Sequence, residues 1–467
     1  MSSPHHDTQT PPRPQEGQWG EEDWVALLQR LPQGWQEQAI ELKAWQRTRK
    51  VACVSDLLRA LLVYAACGYS FRQLGIWATL VKVGSLSERA WRKRVERAQE
   101  WITWLVGALI GSQQRPGWLP RQAGRILLVD ATRLKWPGGG GEDVKLHCAY
   151  DLLAGRLTQV QVQDRHSGEG LHHFCLQPGD VVVTDAGYHL SSALLHTEAV
   201  GAFGVHRLSA HQVRLEREDG QKIDLKRLLK HQKYGTVSEY RVWVWDALHR
   251  QRYGLRLILA LLPRQQAMKA RARKRERLRR KQGPNAKLAA AWWAGAMLLG
   301  TTLPAEQWSA QEVVKLYRAR WQIELLFKRL KQGLQVHLLP VKVWERARTY
   351  VQLCVLVWWL HEQEAAELSG LLLDLLSEPQ GEWLVVVQEG EERSVEAVLS
   401  HTGVSTCVLE TVRMALRGSW SRQRVQECLP QLRRYLVSRP RPRRPSQEAE
   451  VQLCLRLRFA ATPCLLL

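Results

Sequence analysis

The chain has 467 residues, a length that exceeds one hydrophobic core and predicts about three domains. Its 67 lysines and arginines outnumber its 45 aspartates and glutamates, and the formal net charge of +22 favours a polyanionic partner such as nucleic acid. No apolar run reaches the ~18 residues of a membrane-spanning helix, and the first residues lack the apolar core of a signal peptide, so we expect a cytoplasmic protein without a membrane partner.

The first part of the chain has the pattern of a tail followed by helices. Residues 1–17 are polar and rich in proline, and we expect them to be disordered. From 18 to 118, apolar residues recur at helical spacing, which predicts a helical domain. Residues 84–88 predict a capping box, and the residues that follow predict a basic helix. This pattern is typical of either a helix-turn-helix pair that reads DNA or a helical bundle with a solvated basic face. The basic residues of that helix are Arg92, Lys93 and Arg94.

Two short apolar runs further along the chain each end in an aspartate. Residues 125–132 read Arg-Ile-Leu-Leu-Val-Asp-Ala-Thr, and residues 180–188 read Asp-Val-Val-Val-Thr-Asp-Ala-Gly-Tyr. Runs of this kind predict buried strands, so we expect Asp130 to be the last residue of one strand and Asp185 to follow the other. An isolated aspartate at such a position is most often an ordinary turn residue.

The region between the two aspartates predicts a β-hairpin. Residues 143–150 and 156–164 alternate in polarity on either side of a Gly-containing turn. Three consecutive strands would then form the first part of an α/β core, which we place at 119–206.

The stretch from 207 to 300 predicts a strand-rich insertion domain. Residues 240–245 and 255–259 alternate as strands do. The run 269–281 is strongly basic, which is typical of a solvated face or of a segment that follows a DNA backbone. Its candidate DNA-contacting residues are Arg271, Arg273, Lys274 and Arg275. Trp292 and Trp293 follow; in a chain with 21 tryptophans they suit a core, and an indole can also stack on a displaced base.

The most informative segment is 317–331, which reads Tyr-Arg-Ala-Arg-Trp-Gln-Ile-Glu-Leu-Leu-Phe-Lys-Arg-Leu-Lys. On one continuous helix, Tyr317, Arg320, Glu324 and Lys331 would share a face beside an apolar stripe. An amphipathic helix on which Glu324 offsets its basic neighbours would have the same pattern.

The spacing Tyr, two residues, Arg, three residues, Glu, six residues, Lys resembles the signature of the Tyr-Arg-Glu-Lys group of bacterial DDE transposases, also called the insertion-sequence-four family. The resemblance implies an α/β, ribonuclease-H-like catalytic core with a strand-rich insertion, preceded by a helical DNA-binding domain. It also implies that Asp130, Asp185 and Glu324 are catalytic metal ligands, and that Tyr317, Arg320 and Lys331 bind transposon-end DNA. The family's second motif often reads Asp-Arg-Gly-Tyr, whereas Ala186 stands at the arginine position here.

Three carboxylates suit metal-dependent phosphoryl transfer. Hard oxygen ligands favour two Mg²⁺ or Mn²⁺ ions, which activate the nucleophile and stabilise the leaving oxygen. The resemblance thus implies a cut-and-paste transposase of an insertion sequence that binds double-stranded end and target DNA, as a homodimer near the nucleoid. Residues 301–375 would complete the core, and 376–467 would help pair two subunits. A silent transposase-derived repressor and a structure-specific nuclease are the alternative functions.

Overall fold

The computed structural model describes the backbone of residues 21–46, 50–111, 124–138, 144–210, 213–246, 250–283, 288–377, 398–399, 401–417, 428 and 437–438. The chain divides into two compact units. The helical unit comprises 1–112, 136–138 and 329–443, and the sheet unit comprises 113–135, 139–328 and 444–467. The predicted tail, 1–17, and the basic proline-rich segment after 438 lie outside the described residues.

The helical unit begins with six helices that follow the predicted apolar periodicity. Ser70 and Gln73 cap the fourth helix reciprocally, and Ser87 caps the fifth by accepting a hydrogen bond from the Ala90 N–H at 3.3 Å. In the fifth helix, Trp91 and Val95 are buried, which leaves much of its basic surface in solvent. The six helices are α1 (Glu21–Leu28), α2 (Trp35–Glu41), α3 (Val54–Ala66), α4 (Phe71–Leu80), α5 (Glu88–Arg97) and α6 (Gln99–Gly111).

The sheet unit begins with β1 (Ile126–Leu134), β2 (Val144–Asp151), β3 (Arg156–Asp164), β4 (Val181–Thr184), α7 (Leu190–Val200) and β5 (Phe203–Arg207). Strands β2 and β3 form the predicted hairpin, and β2 also pairs antiparallel with β1. By contrast, β1, β4 and β5 are parallel to one another. The carboxyl ends of these three strands therefore meet at one edge of the sheet.

The segment predicted as a strand-rich insertion extends the same sheet. It contains β6 (Leu215–Glu216), α8 (Leu225–His231), β7 (Val237–Asp246), β8 (Gln251–Leu261), α9 (Arg264–Gln282), a 3₁₀ helix (Leu288–Gly295) and β9 (Ala296–Thr301). The strand order of the sheet is β3-β2-β1-β4-β5-β9-β8-β7-β6, with β9 antiparallel to β5. The hydrogen-bonded sheet is thus continuous from core to insertion, and the sequence-based domain boundaries remain predictions.

The last elements are α10 (Ala310–Arg318), α11 (Trp321–Leu334), α12 (Trp344–Ser377), β10 (Val398–Leu399), α13 (His401–Arg417) and β11 (Val437–Ser438). In α12, residues 351–360 are all buried, as expected of a core helix. Within the helical unit, Arg59 of α3 donates to the Leu416 carbonyl at 2.9 Å, and Arg413 donates to the Ala66 carbonyl at 2.7 Å. No helix in the described part of the chain is both long and apolar enough to cross a membrane.

Candidate active site

Asp130 lies on β1, and Asp185 directly follows the neighbouring parallel strand β4. The parallel register pairs Leu128 of β1 with Val183 of β4, so two residues further along each strand Asp130 comes beside Asp185. Adjacent strands are about 4.8 Å apart, which is close enough for the two carboxylates to interact. Each carboxylate accepts a hydrogen bond from the next backbone N–H, Ala131 at 2.8 Å and Ala186 at 2.6 Å.

The expectation that Asp130 ends its strand is wrong. Strand β1 continues to Leu134, because its pairing with β2 extends along its whole length from Leu127. Strand β4 ends earlier, at Thr184. Asp130 is therefore a mid-strand residue of β1, beside the place where the parallel neighbour stops.

The expectation that Tyr317, Arg320 and Glu324 share one continuous helix is also wrong. Tyr317 lies on α10, and Glu324 lies on the first turn of α11. Between the helices the backbone tightens: the N–H groups of Arg320 and Ile323 each donate to the carbonyl three residues earlier, at 3.1 Å. Such i,i+3 bonds break the α-helical phase, so side chains beyond them point in a new direction.

Arg320 lies between two of the three carboxylates. Its Nη1 donates to Asp130 Oδ2 at 2.9 Å, and its Nη2 donates to Glu324 Oε1. Burial by itself would lower the pKa of Arg320, but Tyr317 and the carboxylates of Asp130, Asp185 and Glu324 raise the pKa above its usual value. Two of the three predicted metal ligands therefore contact one guanidinium.

The pKa of the Asp130 carboxyl group is raised well above its usual value. Its pKa is raised from 3.8 to about 6, mainly by burial, and the neighbouring Asp185 charge acts in the same direction. Arg320 and the Ala131 N–H act in the opposite direction because they stabilise the ionised form. A carboxylate whose pKa is raised by burial and by a second carboxylate is typical of sites that bind a cation.

The donor set of this site fits a hard divalent cation, although the side chains are not arranged around one. In the described residues, no three His, Cys, Asp or Glu side chains lie close enough together to hold a metal ion. The Arg320 guanidinium provides the positive charge among the carboxylates instead. Carboxylate oxygens are the ligands that Mg²⁺ and Mn²⁺ prefer, so the residues fit such an ion once Arg320 moves.

Tyr317 forms one side of the site together with an arginine that we did not predict. The ring of Tyr317 is 6% exposed and lies 5.7 Å from the guanidinium of Arg207 and 5.9 Å from that of Arg320. Arg207 is the last residue of β5, the next parallel strand after β4. Its position at the carboxyl end of a parallel strand was the available signal, since ligands of α/β sheets bind at that edge.

The remaining predicted site residues lie on other elements. Arg271, Arg273, Lys274 and Arg275 are on α9, where Arg271 donates to the Trp292 carbonyl at 3.0 Å and to the Tyr234 hydroxyl at 3.2 Å. Trp292 and Trp293 pack edge to face, partly buried against the core under β7 to β9. On α5, Arg92 and Lys93 are exposed and Arg94 is half-buried. Lys331 lies on α11, about two turns beyond Glu324.

Comparisons with known proteins find similarity to transposases. Residues 121–360 match the family model described as a transposase DDE domain. The InsL protein of insertion sequence element IS186A from Escherichia coli K12 is 29% identical over 339 residues, which cover 71% of this chain and 91% of that protein. The transposase of IS421 from Escherichia coli is 29% identical over 340 residues with the same coverage. The transposase of IS231E from Bacillus thuringiensis subsp. finitimus is 25% identical over 246 residues, covering 46% of this chain and 50% of that protein.

The matched family segment begins just before β1 and ends within α12, so it contains Asp130, Asp185 and Glu324. Its span covers the strands that carry the two aspartates and the helix that carries the glutamate. This chain is accordingly a member of the DDE-domain transposases, enzymes that cleave DNA and transfer its strands.

Proposed function

We propose that this enzyme is a cut-and-paste transposase of an insertion sequence, in the Tyr-Arg-Glu-Lys group, and that Asp130, Asp185 and Glu324 are its catalytic residues. The observations that support this most directly are the ion pairs of the Arg320 guanidinium with Asp130 and Glu324, and the register that brings Asp185 beside Asp130. The proposed core is ribonuclease-H-like, and the helices before it, including α5, form a DNA-binding domain. The site acts at the ends of the element and on target DNA, in a homodimer near the nucleoid.

Asp130, Asp185 and Glu324 would hold two Mg²⁺ or Mn²⁺ ions. The bound ions would supply activation of the attacking oxygen and stabilisation of the leaving oxygen. Arg320 then turns from the carboxylates to a phosphate of the bound strand, because phosphate offers the bidentate geometry that a guanidinium prefers. The Tyr317 ring lies beside the guanidinium groups of both Arg320 and Arg207. Tyr317 and Arg207 keep the Arg320 guanidinium within reach of the DNA.

The proposed reaction has four steps. Water cleaves one strand at the element end, and the freed 3′-hydroxyl attacks the opposite strand to give a hairpin. Water reopens the hairpin, and the 3′-hydroxyl joins target DNA. Lys331 and the basic residues of α9 contact phosphates along the end, and Trp292 or Trp293 receives a displaced base.

Two other functions make different predictions. A DNA-binding repressor derived from a transposase would bind the ends but leave them uncut. A structure-specific nuclease would nick the ends without joining them. Incubating the protein with Mg²⁺ and fragments of its own element's ends separates these functions, because only the transposase yields nicked, hairpin and joined products.

The carboxylates are tested by amide substitution. Asp130→Asn, Asp185→Asn and Glu324→Gln preserve side-chain shape and remove the charge, so each should lower cleavage by at least about 100-fold. End binding, measured by gel shift, should stay near the parental level. The exposed Glu306→Gln on the same unit is the matched control and should cleave normally. Substantial cleavage by any one of the three amide variants would remove that residue from the catalytic set.

A further inference from the structure

A fourth carboxylate, Glu169, lies against the segment that carries Asp185. A Cβ atom built on Gly187 would come 2.0 Å from Glu169 Oε2, so the carboxylate contacts the backbone two residues after Asp185. Only glycine leaves room for that contact. Glu169 itself is half-buried, in the segment between β3 and the 3₁₀ helix Leu171–His173. Its oxygens therefore face the same edge of the sheet as the carboxylates already described.

The next residue, Tyr188, has a buried hydroxyl without a hydrogen-bond partner. Its side chain is 6% exposed, and the hydroxyl oxygen makes no hydrogen bond within the described part of the chain. Burial raises the pKa of Tyr188, and the carboxylates of Asp130 and Glu169 raise it further, so the phenol lies near both acids. Leaving a buried hydroxyl without a hydrogen bond is unfavourable, which favours a partner that arrives with the substrates.

We propose that Glu169 and Tyr188 bind the water molecule that cleaves the DNA strand, with Glu169 as its proton acceptor and Tyr188 as a positioning residue. This inference rests on the proposed function. The water donates one hydrogen bond to the Glu169 carboxylate and the other to the Tyr188 oxygen. Its lone pair is then directed away from both groups and towards the strand at Asp130 and Asp185.

The hydrolytic step conserves atoms and charge. The water oxygen forms a bond to phosphorus as one water proton passes to Glu169. The bond between phosphorus and the 3′-oxygen breaks, and that oxygen takes a proton from solvent. Glu169 then returns its proton to solvent. When a DNA 3′-hydroxyl attacks instead, as in hairpin formation and joining, no water is consumed and the water site is not needed.

The test compares steps that consume water with a step that does not. Nicking of an intact end duplex requires water, whereas joining of a pre-cut end with a free 3′-hydroxyl to a plasmid does not. Glu169→Gln should slow nicking by about 100-fold, the usual contribution of a general base. Tyr188→Phe should slow it by about tenfold, as expected for the loss of one hydrogen bond. Joining of the pre-cut end should proceed at the parental rate in both variants.

A third variant moves Glu169 without changing it. Gly187→Ala places a methyl group where the carboxylate lies, and the flexible end of Glu169 can swing away. This variant should reproduce the nicking defect of Glu169→Gln. Controls are Glu306→Gln, an exposed acid, and Tyr240→Phe, a half-buried tyrosine of the same unit. Melting temperature and Mn²⁺ binding by calorimetry, measured without DNA, should match the parent in every variant.

Other outcomes would contradict the water-binding role or the proposed function. Parental nicking by Glu169→Gln, or an equal loss of nicking and joining, overturns the water-binding role. Weakened Mn²⁺ binding by Glu169→Gln also overturns it, since Glu169 would then be a metal ligand. A parent protein that neither nicks nor joins its own ends overturns the proposed function itself, and this inference with it.

Discussion

The Asp130 carboxylate is largely buried: 18% of its side chain is exposed, and Asp185, at the end of the neighbouring strand, lies beside it. Its carboxyl group titrates near pH 6 rather than near 3.8. In the proposed metal site Asp130 must be deprotonated to hold a divalent ion, so protons and metal should compete there in a pH range where most carboxylates are already ionised. The acid side of the enzyme's pH profile should therefore be set by this residue.

We expect Mn²⁺ affinity and cleavage rate to fall together below about pH 6, by about tenfold for each further pH unit. Stability without metal should change in the opposite sense. The folded state has the higher pKa, so it binds the extra proton between about pH 4 and 6, and that stabilisation is lost as the pH rises through this window. Urea unfolding at several pH values measures this, and Asp130→Asn should flatten the dependence. A profile with no inflection near pH 6 would contradict the assignment.

The Arg320 guanidinium should compete with a divalent ion for Asp130 and Glu324. The guanidinium neutralises Asp130 and Glu324, and in the proposed metal site a divalent ion would have to replace it. Arg320→Gln removes the competing charge, so Mn²⁺ should bind at least several-fold more tightly, while the protein without metal becomes less stable because a buried charge loses its partner. Arg320→Lys keeps the charge and is the matched control. Calorimetry without DNA measures both, and unchanged affinity in Arg320→Gln would show that the guanidinium does not obstruct the ion.

At the scale of secondary structure, the sequence predicted those elements whose pattern is local. The β2–β3 hairpin and the strands before Asp130 and Asp185 were recognisable because apolar runs and a Gly-containing turn define them within a few residues. The division between α10 and α11 was not, because helical periodicity continues across Ala319 and the tightened turn there depends on backbone hydrogen bonds alone. The pairing of β9 with β5 could not be predicted from the sequence either, since it joins segments separated by the whole insertion.

Asp180 shows why a carboxylate at a strand terminus cannot be assigned from sequence alone. It precedes β4 just as Asp185 follows it, yet its side chain is 1% exposed and accepts hydrogen bonds from Arg125 and from the Gln177 N–H. Arg125 Nε and its backbone N–H donate to Asp180 Oδ1 at 3.1 and 3.0 Å. This ion pair holds the starts of β1 and β4 together and so fixes the register that places Asp130 beside Asp185. Both aspartates belong to the same sequence run, and only tertiary contacts distinguish them.

For the molecule as a whole, the charge of +22 predicts strong salt dependence of DNA binding. Helix α9 is the densest source of that charge, and Arg273 and Arg275 are exposed on it with Lys274 half-buried. Arg273→Ala, Lys274→Ala and Arg275→Ala combined should weaken DNA binding and reduce the slope of log K against log salt by about 0.9 for each phosphate that is no longer bound. Arg271 is left intact because it anchors the helix to Trp292 and Tyr234.

The control for this prediction removes equal charge from another exposed surface of the same unit. Arg214→Ala, Lys222→Ala and Lys230→Ala combined take away three basic residues outside α9. Fluorescence anisotropy at several salt concentrations gives the slope for both triple variants. If the two slopes fall equally, α9 contributes only to the general charge and does not follow the DNA backbone.

The position of β9 in the sheet also bears on when a newly synthesised chain becomes able to cut DNA. On the ribosome, β1 to β5 emerge first, and β5 has no partner on its outer edge until β9 has been translated. Glu324 follows β9 in the chain, so the third carboxylate arrives only after that edge is covered. On the proposed catalytic set, a polypeptide that ends before Glu324 carries only two of the three carboxylates and should not cut DNA.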